Sequence, residues 1–159
     1  MIVERKVKFL GRIEKSIEIK APPKKVWEML ALDRASEWNE GSVKNVEYTS
    51  EVHTPKDKLR VGASAHATIK GEGEMHFEIT ESLENTKITI QAKGGKTSPR
   101  YMLTYALEPV EEGTKLTQRT DYELSWGILG KFLDKLVAQR ITEKDMERQL
   151  ENLKSILEK

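Results

Sequence analysis

Hydrophobic and polar positions along this chain change period in a fixed order. From residue 3 to residue 20 they alternate. Val3, Val7, Phe9, Ile13, Ile17 and Ile19 share one parity, and Glu4, Lys6, Lys8, Glu14, Ser16, Glu18 and Lys20 the other. A period of two is a strand with one face buried. Arg5, Gly11 and Lys15 interrupt the apolar face, so the strand bends or starts late. Ala21-Pro22-Pro23 ends it, because proline lacks the ladder donor yet suits a first helical turn. Val26, Trp27 and Leu30 then recur at helical spacing. Asp33 is placed to cap a second short helix carrying Ala35 and Trp38, and Gly41 closes this insert.

Alternation resumes at about Val43 to Val52, with Val46 and Tyr48 on one face. A polar loop from Thr54 to Arg60 leads to a strand at Ala63 to Lys70. Gly71-Glu72-Gly73 predicts a three-residue hairpin loop. Pairing across it sets Ile69 opposite Met75, Ala67 opposite Phe77 and Ala65 opposite Ile79, all on the core face. Leu83 ends that strand and Asn85 turns the chain. Ile88, Ile90 and Ala92 make the next strand, and Gly94-Gly95 ends it. Tyr101, Leu103, Tyr105 and Leu107 follow on one face, stopped by Pro109. After a turn at Glu112-Gly113, Leu116, Gln118, Thr120, Tyr122 and Leu124 form the last inner face.

The tail, Trp126 to Lys159, has no proline. Leu129, Phe132, Leu133, Leu136, Met146, Leu150, Leu153 and Leu157 form a stripe close to a seven-residue repeat. The stripe turns polar at Gln139, Arg140 and Glu143, where Thr142 offers an alternative cap. A single helix is the expectation, because neither glycine nor proline breaks the second half. A curved antiparallel sheet that must bury one long helix wraps around it and leaves a hollow between the two. The order of elements thus describes an α+β container.

Composition narrows the classes. A chain of 159 residues is expected to form one domain, 1–159, with a real core. It has no cysteine, which excludes disulfides and thiolate metal sites and fits a reducing compartment. No apolar run approaches the ~20 residues of a membrane span, and the charged start does not read as a secretion signal. Cytoplasmic location without stable membrane insertion is the expectation. Charged residues are 33% of the chain but balance to a net +1, so no broad field awaits a polyanion and no nucleic-acid partner is expected. Abundant Lys and Glu without Cys also suit a thermophile.

The stretch from Ile17 through Ala21-Pro22-Pro23 to Val26-Trp27-Glu28-Met29-Leu30 resembles the opening of the START/polyketide-cyclase (SRPBCC) superfamily. Trp38 in the second short helix is similar too. So are Leu107-Glu108-Pro109 with Gly113-Thr114-Lys115-Leu116-Thr117, and Leu150-Glu151-Asn152-Leu153-Lys154. The likeness runs from about residue 10 to 158. It implies a helix-grip fold: a seven-stranded curved antiparallel sheet around a long C-terminal helix, with two short helices after strand one. It also implies a cavity for sterols, lipids, quinones, polyketides or hormones. Some members are cyclases or dehydratases, and some are modules that assist a chaperone. One departure stands out. Relatives often place a proline soon after the second-helix Trp, where this chain has Asn39-Glu40-Gly41.

The candidate chemistry lies on inner faces. Tyr101, Tyr105, Gln118, Thr120 and Tyr122 are polar groups on adjacent inner strands, and buried polar groups need partners. They point to a hollow holding water or ligand, unless the tyrosine tips turn outward. Ala63, Ala65 and Ala67 leave further space, unless the helix sits closer there. His66 and His76 take outward parity and His53 a strand end, so no metal site is expected. Glu14, Glu18, Glu74, Glu78, Asp121 and Glu123 also point outward. Arg140 and Glu143 can meet on one helix face and hold a ligand carboxylate at the cavity mouth, or lie on a solvated surface. The basic loops at Lys56 to Arg60 and Lys93 to Arg100 read as solvated, Trp27 as core, and Trp38 and Trp126 as candidates for a cavity rim.

The reading that results is a carrier for a small, mostly apolar ligand, with no cofactor. Phe77, Tyr101, Tyr105, Gln118 and Tyr122 line the sheet side, Leu133 and Leu136 the helix side, and Arg140 one end, with Trp38 and Thr120 as further ligand-binding positions. Apolar burial supplies affinity, and the tyrosines and Gln118 orient the ligand. Two alternatives remain. One is a cyclase or dehydratase using Tyr101, Tyr105 or Tyr122 as acid, which a depressed phenol pKa would favour. The other is a protein-interaction module, which predicts a small cavity and an exposed apolar patch.

Overall fold

The computed structural model describes residues 11–39, 41–123 and 135–159, the side chains of 135–139 excepted. Val3, Val7, Phe9, Glu40, Trp126, Leu129, Phe132 and Leu133, and the side chain of Leu136, lie outside the described residues. Seven strands form one antiparallel sheet in the order β1-β7-β6-β5-β4-β3-β2. They are β1 (Gly11–Ile19), β2 (Val43–Tyr48), β3 (Ser64–Ile69), β4 (Gly73–Leu83), β5 (Lys87–Lys93), β6 (Arg100–Val110) and β7 (Gly113–Tyr122). Helices α1 (Pro23–Glu28) and α2 (Ala35–Trp38), joined through a 3-10 turn at Leu32–Arg34, fill the insert after β1. Helix α3 (Lys135–Leu157) runs unbroken through Thr142. At 1.5 Å per residue, its 23 residues span about 35 Å.

The helix buries Met146, Leu150 and Leu153 of the expected stripe, with Leu157 only partly buried. It packs against β1 and α2. Lys15, which breaks the apolar alternation of β1, meets α3 there: its Nζ lies 3.0 Å from Glu147 and 3.7 Å from Glu143. The hydrogen bond to Glu147 raises the Lys15 pKa above its ordinary value. Further along, Thr114 donates to the Ala21 carbonyl at 2.7 Å, and the Lys20 N–H donates to Glu158 at 2.9 Å. The start of the sheet, its last strand and the end of α3 are thereby tied together.

Alternation predicts the faces correctly and the register less well. In the β3–β4 hairpin the observed pairs are Ile69 with Gly73, Ala67 with Met75 and Ala65 with Phe77. The loop is centred one residue earlier than expected, because Gly71 takes a φ of +82° and lets the Glu72 N–H close on the Ile69 carbonyl at 3.0 Å. The resulting two-residue slip keeps every side chain on its face. Irregularities between Lys44 and Glu47 and between Ile79 and Glu81 interrupt the parity of β2 and β4. Beyond the second, Leu83 is exposed. Pro109 does not stop β6, which continues to Val110 and pairs there with Gly113. The β5 partner ends at Ala106, so Pro109 meets no ladder on that side and costs no bond.

Asp33 is another correction. It lies inside the 3-10 turn, and no side chain caps α2. Its carboxylate instead accepts from the Tyr48 hydroxyl at 2.9 Å and from Lys58 at 2.7 Å, tying the insert to β2 and to the turn at Pro55–Lys58. Burial works against this carboxylate, but the bonds from Lys58 and Tyr48 outweigh it and hold its pKa below the ordinary value.

Candidate functional site

A cavity of about 350 Å³ lies between the concave face of the sheet, the insert and α3. Its walls follow from side-chain size. Ala65 and Ala67 on β3 are buried yet short, and the space beside them is not filled by α3. Phe77 and Ile90 continue the wall across β4 and β5, and Tyr101, Leu103 and Tyr105 across β6. Gln118, Thr120 and Tyr122 complete it on β7, facing Met146 and Gln149 of α3. The wall is mostly apolar, with a few fixed polar groups, the usual make-up of a small-molecule site.

Aromatic contacts set the ring positions. Tyr105 meets Trp38 edge to face at 6.0 Å between centroids, and Tyr101 meets Phe77 similarly at 6.3 Å. Trp38 is 2% exposed and donates its indole N–H to the Met29 carbonyl at 3.0 Å, so it is a buried wall rather than an open rim. Trp27 is core. After Trp38, the Asn39 side chain turns back to donate to the Ala35 carbonyl at 2.8 Å. The Asn39 carbonyl accepts from Ser42 and Val43, and Gly41 takes a positive φ. Local hydrogen bonds thus form this cavity edge with Asn39 and Gly41 in place of the proline that the resemblance led to expect.

The polar groups of the wall are under-used. Gln118 is 2% exposed, and its Oε1 has no hydrogen-bond partner among the described residues. Tyr101 and Tyr105 are hydrogen-bonded to nothing among the described residues. Burial pushes both phenols above their ordinary pKa, with Glu72 adding to the effect at Tyr101. Tyr122 is raised too, by burial and by Glu143. No phenol is depressed, so the three are neutral hydrogen-bond donors at physiological pH. Thr120 donates weakly to the Met146 sulfur at 3.7 Å.

One rim residue escaped the sequence reading, which took Glu72 only as part of a turn. Its carboxylate accepts from the Thr97 N–H at 2.9 Å, the Ser98 N–H at 3.1 Å and the Thr97 hydroxyl. It clamps the β3–β4 hairpin to the β5–β6 loop at the cavity edge. An acid between two glycines is the sole sequence signal, and it does not reveal a partner 25 residues away.

Other expected positions fall elsewhere. Arg140 is exposed and is not among the described residues lining the cavity, while Glu143 faces Lys15. Asp121 points outward as expected but is 5% exposed, held between Arg12 at 2.6 Å and Arg119 at 3.2 Å. The Arg119 contact is an ion pair without hydrogen-bond alignment. His66 and His76 meet across β3 and β4 with ring centroids 5.0 Å apart and planes tilted by 58°, on the outer face. Among the described residues no group of three His or acidic side chains converges on a metal-sized site. Lys58 and Arg60 of one basic loop are paired with Asp33 and Asp57.

The sequence profile of the family described as polyketide cyclase/dehydrase and lipid transport matches residues 11–158. No curated protein matches in sequence. Among solved structures, a START superfamily protein from Mycobacterium smegmatis superposes with a TM-score of 0.71 at 13% identity, covering 92% of this chain and 97% of that one. A protein of Thermus thermophilus gives 0.67 at 20% identity, covering 91% and 95%. Aha1 from Colwellia psychrerythraea, solved as a dimer, gives 0.65 at 20% identity, covering 94% and 97%. At these identities the likeness establishes the helix-grip fold.

Proposed function

Since the chain belongs to the polyketide cyclase/dehydrase and lipid transport family, we propose that it binds and carries a small, mostly apolar molecule between the sheet and α3. The observation that carries this reading is a cavity of about 350 Å³ whose buried Gln118 oxygen is left without a partner. An orphaned buried acceptor costs about 1–3 kcal/mol, a cost that an occupant supplying a donor would remove. Burying ~200–300 Å² of ligand apolar surface at ~25 cal/mol per Å² contributes about 5–7.5 kcal/mol before the cost of immobilising the ligand. Placed polar contacts are therefore needed for micromolar affinity. Phe77, Trp38 and Thr120 bound the ligand, and Tyr101, Tyr105, Gln118 and Tyr122 orient it.

Carriage is favoured over catalysis by the state of the phenols. A general acid works best with a pKa near the working pH, and burial moves these three away from it. A protein-interaction role predicts an exposed apolar patch, and none is present among the described residues. The large exposed apolar side chains among the described residues are Val61, Leu83 and Ile141, single positions of the kind any surface carries. No helix among the described residues is long and apolar enough to cross a membrane. We assign the carrier to the cytoplasm, a reading supported by its cysteine-free composition.

Native mass spectrometry of the purified protein, followed by solvent extraction, tests the carrier. The expected result is one equivalent of an apolar small molecule, or stoichiometric uptake of one from an added panel with a rise in melting temperature. A protein that emerges empty and shows no thermal shift with any of the panel is not a carrier.

A further inference from the structure

The polar complement of the cavity has a sign. Glu72 and Asp145 line it, and no Lys or Arg does among the described residues. Asp145 is paired at 2.9 Å with Arg148, one turn further along α3. Glu72 has no cationic partner among the described residues: its three hydrogen-bond donors, from Thr97 and Ser98, are neutral. Lys15, the cation that β1 directs toward α3, is held by Glu143 and Glu147. An anionic ligand would therefore lose water and meet an uncompensated carboxylate in a partly desolvated mouth.

The inner wall has an equally definite need. Gln118 Oε1 is a buried acceptor without a donor, and it lines the cavity. Its cross-strand partner Tyr105 lines the cavity too and has a hydroxyl with no partner among the described residues. A hydroxyl can donate to the first and accept from the second. A carboxylate can accept from the second but has no proton to give the first.

We propose that the cargo is an uncharged apolar molecule bearing a hydroxyl, which Gln118 receives as donor, and that carboxylated apolar molecules are excluded by Glu72. The inference rests on the carrier reading and narrows it to a ligand class.

Three probes on one scaffold test it: pyrene, 1-hydroxypyrene and 1-pyrenecarboxylate, titrated by fluorescence at neutral pH. The wild-type protein should bind 1-hydroxypyrene roughly tenfold more tightly than pyrene, the worth of one net hydrogen bond. It should bind the carboxylate at least tenfold more weakly than pyrene. In Gln118→Leu, and independently in Gln118→Met, the ratio of hydroxypyrene to pyrene affinity should fall to about one. In Glu72→Gln the carboxylate should regain most of its deficit. A melting transition in each variant reports folding. The proposal is overturned if the carboxylate binds as well as pyrene, or if the hydroxyl advantage is missing in the wild type or survives in both Gln118 variants. If none of the three probes binds the wild type, the carrier reading itself fails, and this inference with it.

Discussion

Tyr122 lies across Gly11. The two are cross-strand partners at one end of the β1–β7 ladder, and the phenol ring occupies the space that a Cβ at residue 11 would take. The glycine that interrupts the apolar alternation of β1 is thus the seat of a cavity-lining ring. A Gly11→Ala replacement should displace that ring and cost about 1–2 kcal/mol. In a Tyr122→Ala background the same change should cost less than about 0.5 kcal/mol, since the clash is gone. Denaturant unfolding of the four proteins in this cycle measures the difference.

Ala67 should tolerate growth at the expense of binding. It lines open space, so Ala67→Leu adds apolar contact without forcing strained rotamers. The expected outcome is unchanged or slightly raised stability, by up to about 1 kcal/mol, with at least a tenfold loss of affinity for pyrene. Thermal melts and fluorescence titration together check it. A marked fall in melting temperature would mean that the wall is tightly packed there.

Removing Glu72 should loosen one edge of the cavity. The Thr97 and Ser98 amides lose their acceptor in Glu72→Ala, and hydrogen bonds to a charged group contribute about 1.5–3 kcal/mol. Their hydrogen exchange should accelerate at least tenfold, while amides of the central β6–β7 ladder keep their protection.

The tyrosines set an alkaline limit. All four, Tyr48, Tyr101, Tyr105 and Tyr122, have pKa values raised in the fold. The unfolded chain ionises first, so the stability they lend is complete below the ordinary phenol value of 10.0 and is lost as pH rises above it. Absorbance at the tyrosinate band should show little ionisation near that value, then a rise coincident with unfolding. Asp33 acts at the other end. Its lowered pKa lends stability that is complete above the ordinary value of 3.8 and is lost as pH falls below it. In Asp33→Asn the acid transition should shallow, and the insert should become easier to cleave by protease.

The faces of the sheet were legible because side-chain parity is a local property. Ile13, Ile79, Ile90 and Leu116 are buried as alternation predicts. Register depends on where a turn closes, and Gly71 moved the β3–β4 pairing by two positions without changing a face. Asp33 and Glu72 were misread for one shared reason. Each carboxylate finds partners 15 to 26 residues away, and neither cap chemistry nor turn composition reports such a distance. Phe77, Tyr101, Tyr105, Gln118, Thr120 and Tyr122 were brought to one wall by strand parity, and Trp38 joins them from α2. Arg140 was placed by helical spacing, which fixes a face relative to its neighbours but not its direction in space.

Pairing of β1 with β7 makes the earliest strand wait for the latest one. Ile13 finds its neighbour only when Thr120 has been synthesised, and Lys15 waits longer still for Glu147. A chain emerging from a ribosome therefore carries an incomplete sheet, with a bare edge and an open cavity, until residues beyond Thr120 have followed. Contacts so far apart in sequence slow folding, and an unpaired strand edge exposes a chain to self-association.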